Sequence, residues 1–230
     1  MSKYLKSVLC LLFALSLVIL PVLNQPTAQA AESNPVSSLS KEEFKKHAFK
    51  DGKLIKALDS EEISQVMQEG ISFAGKIGEA PTVKRHTFDD GSSIVVTSGV
   101  TIKDSNTRGV RAAEKSGTAR TTYTCVSAIG LELWTYTLYQ EFKYNGSDIT
   151  WFEKSPYSSH TSSNLLDHWE LTSEGAMYTD YAKVGDGITA YTNPKFKFKV
   201  WELALQSLTL KGELHISPNG IYRGYWKEVN

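Results

Sequence analysis

The chain has 230 residues, 25 Lys and Arg against 25 Asp and Glu, and 41% hydrophobic and 11% aromatic residues, enough core material for one or two small globular domains. A formal net charge of zero excludes electrostatic capture of nucleic acid as a default role. Only two cysteines occur, which excludes a disulfide-dense scaffold, and no collagen-like, coiled-coil or polybasic pattern is present.

In chain order, Lys3 and Lys6 form a short positive segment ahead of Val8 to Leu20, an apolar run of 13 residues interrupted only by Ser16. Ala28-Gln29-Ala30 then offers small residues to a peptidase. This is the pattern of a cleavable secretory signal, residues 1–30, with processing after Ala30. A membrane span needs about 20 apolar residues, so the expectation is a secreted, extracellular protein and not a transmembrane one. Removing 1–30 takes two lysines and no acid, leaving 23 cations against 25 anions, and leaves Cys125 as the single cysteine. An exported chain without an intramolecular disulfide suits a bacterial source.

Residues 31–104 are expected to form a small α+β unit. Ser40 and Glu43 have capping-box spacing for a helix starting near Lys41, and Asp51-Gly52 marks a turn. Asp59 or Ser60 caps a second helix carrying Ile63, Val66, Met67, Gly70, Ile71, Ala74 and Ile77 at helical spacing, ended by Gly78 and Pro81. Thr82 to Phe88 and Ser92 to Lys103, separated by Asp89-Asp90-Gly91, read as a β-hairpin. Residues 105–118 are small, polar and charged, as in a linker, and contain Arg108 and Arg111. Cleavage near Arg111 would release 31–118 as a leader domain; an intact linker is the other reading.

Residues 119–230 hold all five tryptophans, ten of the eleven tyrosines and four phenylalanines, whereas 31–118 has four phenylalanines and neither Tyr nor Trp. Between Leu131 and Tyr144 the alternation places Trp134, Tyr136, Leu138, Phe142 and Tyr144 on one face. Asn145-Gly146 predicts a type I′ turn into Ile149 to Phe152. Further strands are expected over 120–128, 168–172, 176–184, 188–191, 195–205, 208–216 and 221–226. The fold class is therefore mainly β: a C-terminal antiparallel β-sandwich preceded by a small α+β N-terminal unit, with a closed barrel as the second choice.

The common catalytic signatures are missing: no HExxH, GxSxG, P-loop, GxGxxG, CxxC pair or EF-hand loop occurs, so an enzyme has little support. No cofactor is implied. Cys125 lies mid-strand and is expected to be a buried, inert thiol. His160, His168 and Glu170 could ligate a metal, since His168 and Glu170 would share a strand face. The competing reading is a solvated strand edge. Asp167, His168 and Glu170 are the one cluster in which a noncontiguous acid/base pair could be sought. Of the aromatics, Tyr139, Tyr157, Tyr181, Tyr222 and Tyr225 are the candidates for a surface binding role, because a tyrosine ring has an apolar face and a polar tip.

The stretch LELWTYTLYQEFKYNGSDITWFEKSP, an aromatic hairpin followed by a Ser-rich loop, resembles a hairpin of small secreted Gram-positive proteins that include the large geobacillin-like bacteriocins. The likeness extends over about residues 120–230. It implies an exported antibacterial polypeptide acting on related bacteria, and it implies no site residues. The alternative from the residues themselves is a non-catalytic β-sandwich that binds a bacterial cell surface, a cell-wall polymer or another glycan.

Overall fold

The computed structural model describes residues 46–103, 114–161, 169–181, 187–200 and 203–229. The expected signal segment with Ala30, the start of the helix near Lys41, the linker residues through Arg111, and Asp167 and His168 lie outside the described residues.

The described chain opens on helical residues 46–48, and a two-stranded ribbon follows, β1 (Phe49–Lys50) with β2 (Lys53–Leu54). Its predicted turn is present, with φ of 51° at Asp51 and 75° at Gly52. A single 3₁₀ turn, η1 (Lys56–Leu58), and a helix, α1 (Ser60–Glu69), follow. Asp59 caps α1, its Oδ1 accepting from the amides of Glu61 at 2.9 Å and Glu62 at 3.4 Å. Those two glutamates also sit favourably at the positive end of the helix. Ile63 and Met67, four residues apart, are the buried stripe.

The helix stops sooner than its apolar spacing predicts. Gly70 adopts a φ of 76°, and Ile71–Lys76 is a strand, β3. The spacing of Ile71, Ala74 and Ile77 satisfies a helix, but β3 gains six register positions with the last strand of the chain, from Ile71 opposite Trp226 to Lys76 opposite Ile221. Tertiary pairing overrides the local pattern here.

Two antiparallel sheets make the sandwich. The second sheet is consecutive, β4 (Thr82–Thr87), β5 (Ser93–Lys103), β6 (Lys115–Val126) and β7 (Glu132–Tyr144), with β8 (Ile149–Phe152) and β9 (Tyr157–His160) both on the free side of β7. The first sheet joins β3 to the C-terminal strands β10 (Trp169–Ser173), β11 (Tyr178–Tyr181), β12 (Ile188–Thr192), β13 (Lys195–Val200), β14 (Leu203–Ile216) and β15 (Ile221–Glu228). β12 and β13 pair successive stretches of one side of β14 while β15 takes the other side. The expected 195–205 strand is thus cut short and the 208–216 strand lengthened.

The 145–148 turn also differs from its prediction. Asn145 keeps a negative φ while Gly146 has 99°. Tyr144 pairs with Ile149, leaving a four-residue loop that Asn145 closes, its Oδ1 accepting from the amides of Ser147 and Asp148 at 3.0 and 2.7 Å. An Asn side chain that bonds the backbone ahead of it competes with the tighter turn.

The core between the sheets is aromatic. Trp226 lies between Tyr123 and Tyr136, with ring centroids 6.2 and 5.8 Å away, and Phe196 meets Trp134 edge-on at 4.5 Å. Gly212 faces Trp226 across β14 and β15, and a Cβ there would come within 2.7 Å of the indole ring, so the glycine provides the space. Buried polar tips find partners across the layers. Trp226 Nε1 donates to Thr121 Oγ1 at 2.9 Å, Ser98 Oγ donates to the same oxygen at 2.8 Å, and Tyr222 OH donates to the Ser98 carbonyl at 3.0 Å.

The residues before and after the 104–118 segment share this core and both sheets. Ile63, Met67, Phe73, Ile94 and Val96 belong to one cluster with Tyr123, Tyr136 and Trp226, β5 pairs β6 over eleven positions from Ser93↔Val126 to Lys103↔Ser116, and residues 34–230 group as one compact unit. The aromatic boundary at 119 therefore does not separate two cores, and Lys115 to Thr118, expected in the linker, open β6. A leader made of 31–118 would take with it strands of both sheets.

Candidate functional site

The outward positions of the first sheet come into one row through register. Tyr178 faces Tyr191, Tyr191 faces Glu213, Glu213 faces Tyr225 and Tyr225 faces Ser72, across β11, β12, β14, β15 and β3. Tyr178 and Tyr191 stack at 4.8 Å. Lys211 Nζ lies 5.6 Å from the Tyr191 ring centre and 5.9 Å from that of Tyr225, and Lys227 lies 5.4 Å from Tyr225. Glu213 ties the row together, holding Lys211 at 2.6 Å and accepting from the Tyr225 hydroxyl. Tyr178 keeps 47% of its surface exposed.

The electrostatics follow from these contacts. The hydrogen bond to Glu213 raises the Lys211 ammonium above its ordinary value against the opposing effect of burial. Burial, then the Glu213 charge, raises Tyr191, and burial, then its hydrogen bond to Glu213, raises Tyr225. All three keep their protons at neutral pH. Around the row, the described outward positions of this sheet hold Lys76, Lys195, Lys197, Lys211, Arg223 and Lys227 against Glu170, Asp180 and Glu213. Rings with cations beside them can stack on a sugar or other flat apolar face while pairing with its acidic substituents.

The five predicted tyrosines do not make one site. Tyr225 belongs to the row just described. Tyr139 and Tyr157 are register partners on the outer face of the second sheet and stack at 4.9 Å with 10° between planes. Tyr181 stacks on Phe152 at 5.6 Å, bridging β11 and β8 of different sheets. Tyr222 is fully buried and has no surface role. Its alternation partner Ile221 is 42% exposed instead, because β15 needs its even-numbered residues inward to place Trp226 between the sheets. Hydropathy alone points the other way.

His160 lies exposed on β9 opposite Tyr136, and Glu170 lies on β10 opposite Lys197, in different sheets. Among the described residues no three His, Cys, Asp or Glu side chains come together as a metal site. Cys125 is buried as predicted, and burial pushes its thiol up to about 12, which leaves it unreactive. No helix among the described residues is long and apolar enough to cross a membrane.

Two further places carry polar groups. At one side of the sandwich, Glu174 accepts from Tyr136 OH at 2.7 Å and from Ser158 Oγ at 2.8 Å, and Tyr136 OH also lies 2.8 Å from Thr192 Oγ1. Burial pushes the Tyr136 hydroxyl up, so it stays a donor. At another side, a groove of about 580 Å³ lies between α1, β3 and β4, lined by Glu62, Val66, Glu69, Ile71, Lys84 and His86 among others.

The residues that the sequence reading missed are Tyr178, Tyr191, Lys211, Glu213 and Lys227. The alternating KFKFKV of β13 and the Lys-x-Glu of β14 signal an outward polar row, but only the register of five strands brings it against the tyrosines. Fold and face together define a β-sandwich with an aromatic and cationic outer surface. No protein-family model matches the chain, and neither a curated protein nor a solved structure does.

Proposed function

We propose that this chain is a β-sandwich that binds a bacterial cell-surface or cell-wall polymer through the tyrosine and lysine row of its first sheet. The observation that carries this reading is the continuous line from the Tyr178–Tyr191 stack through Lys211 to Tyr225. Half-buried rings and cations in a row, with Tyr178 exposed at one end, suit a long, repeating ligand with hydroxyl and acidic groups better than a small enclosed one. The signal-like residues 1–30 support a place outside the cell, where such a polymer lies.

Co-sedimentation of the purified protein with isolated Gram-positive cell walls tests the reading. Binding is expected, and it should fall when Tyr191 is replaced by Ala in a protein with an unchanged circular dichroism spectrum. Walls that leave the protein in the supernatant at low salt would overturn it. Bacteriocin-like action on related bacteria is the second reading, favoured by the likeness carried by residues 131–156, and growth inhibition of a panel of indicator strains tests it in parallel.

A further inference from the structure

We propose that β4 accepts an extended acidic peptide strand of a partner protein along its unpaired edge, in the groove beneath α1. This rests on different residues from the tyrosine row.

β4 pairs β5 at six unshifted positions, from Thr82↔Ser98 to Thr87↔Ser93, and has no partner on its other side among the described residues. Every residue from Val83 to Thr87 is exposed. The Phe88 amide donates to the Ser92 carbonyl at 2.9 Å, so the backbone groups of Phe88 point toward β5. Because backbone polar groups alternate sides along a strand, the N–H and C=O groups of Val83, Arg85 and Thr87 point to the free side. An incoming strand can pair with them by β-augmentation.

The side chains set which strand fits. Lys84 and His86 are the register partners of the buried Val96 and Ile94, so they share the inner face of the sheet and line the groove. Arg85 is on the opposite face, where its guanidinium donates to Ser93 Oγ at 2.6 Å. Across the groove, α1 presents the Glu62 carboxylate, held by Lys56 at 3.0 Å, and the exposed Glu69, so the carboxylates of a guest belong on the Lys84 side, away from α1. Val66 and Ile71 supply apolar floor. Antiparallel pairing with β4 of a second copy would set Lys84, Arg85 and His86 against the same three residues, and like charges directly opposite are unfavourable. Basic residues on an edge strand discourage self-association. The Lys84 ammonium favours a guest with a carboxylate opposite it, and the His86 ring offers a hydrogen-bond donor to the neighbouring one.

Fluorescence anisotropy with a short labelled peptide alternating Glu and Val tests the proposal on the full chain. The acidic peptide is expected to bind about three- to tenfold more tightly than its Lys-for-Glu counterpart, the scale set by one or two cross-strand charge pairs. Val83→Pro removes a donor on the free side and leaves the β5 ladder intact, so it should abolish binding. Lys84→Glu combined with His86→Glu changes only exposed side chains and should reverse the peptide preference, which keeps the test decisive if the proline variant misfolds. No saturable binding of the acidic peptide, an unchanged preference in the double variant, or a concentration-dependent dimer that Val83→Pro dissolves would each overturn it.

Discussion

The outer faces of the two sheets use the same architecture for opposite ends. On the second sheet, outward hydroxyls answer one another: Thr122 and Thr137 lie 3.0 Å apart, Thr135 and Thr161 2.9 Å. Thr124 and Thr137 are only 6% exposed. On the first sheet, the corresponding positions carry tyrosine rings with lysines above them and one glutamate between. The threonine pairs satisfy their hydroxyls on one another and make that stretch of the second sheet quiet beside its Tyr139–Tyr157 stack, whereas on the first sheet Glu213 holds Lys211 and Tyr225 and the ring faces keep apolar area that no hydrogen bond uses up.

The largest expected effect removes the contrast by removing what both faces rest on. Trp226 is fully buried between the sheets and bonded to Thr121, so Trp226→Ala should destabilise the protein by about 3–5 kcal/mol, read from chemical denaturation. A destabilisation below about 1 kcal/mol would mean that the sheets do not depend on this contact.

The contrast itself is tested by matched substitutions. Tyr191→Ala takes the central ring from the row and should weaken wall binding about tenfold, through lost stacking and cation–π contact. Thr137→Val on the other face should leave binding unchanged. Equal losses would break the distinction between the faces.

Alkaline pH should act on the tyrosine face. Lys211, Tyr191 and Tyr225 all hold their protons more tightly in the folded chain than their ordinary values imply. Their contribution is therefore complete below the unfolded values, near 10 for tyrosine, and is lost as pH rises through the raised ones. Stability measured between about pH 9 and 12 should fall, and fall less in Tyr225→Phe, which lacks the hydroxyl bonded to Glu213. An equal fall in both proteins would place the alkaline loss elsewhere.

The smallest effect concerns the threonine pair. Replacing both Thr122 and Thr137 by Val removes two mutually bonded hydroxyls together, leaving neither orphaned, so stability should change by less than about 1 kcal/mol. A larger loss in thermal denaturation would show the pair to be structural.

Much of the strand order was legible because alternation is a local property: Trp134, Tyr136, Leu138 and Phe142 all lie on the buried face that their spacing predicts. Asp59 as helix cap and Cys125 as buried thiol are equally local. What escaped depends on partners far away in the chain. β3 is a strand because β15 pairs with it, Tyr222 is inside because Trp226 must be, and the tyrosine row exists only after five strands are in register. A compositional step at residue 119 reflects which strands bring the aromatics, and says nothing about where a core ends.

The pairing of β3 with β15 has a kinetic side. Ile71 meets Trp226, so β3 waits for β15, far along the chain, and Trp226 enters the core by the same event. Until then β3 and one side of β14 lack their neighbour. Closing so long a loop comes late and slowly. A growing chain can pair β4 through β7 from neighbours and seat Phe196 and Thr192 against Trp134 and Tyr136, but the Trp226 contacts form only when β15 arrives, and a cut between Ile216 and Ile221 leaves two bare edges facing water.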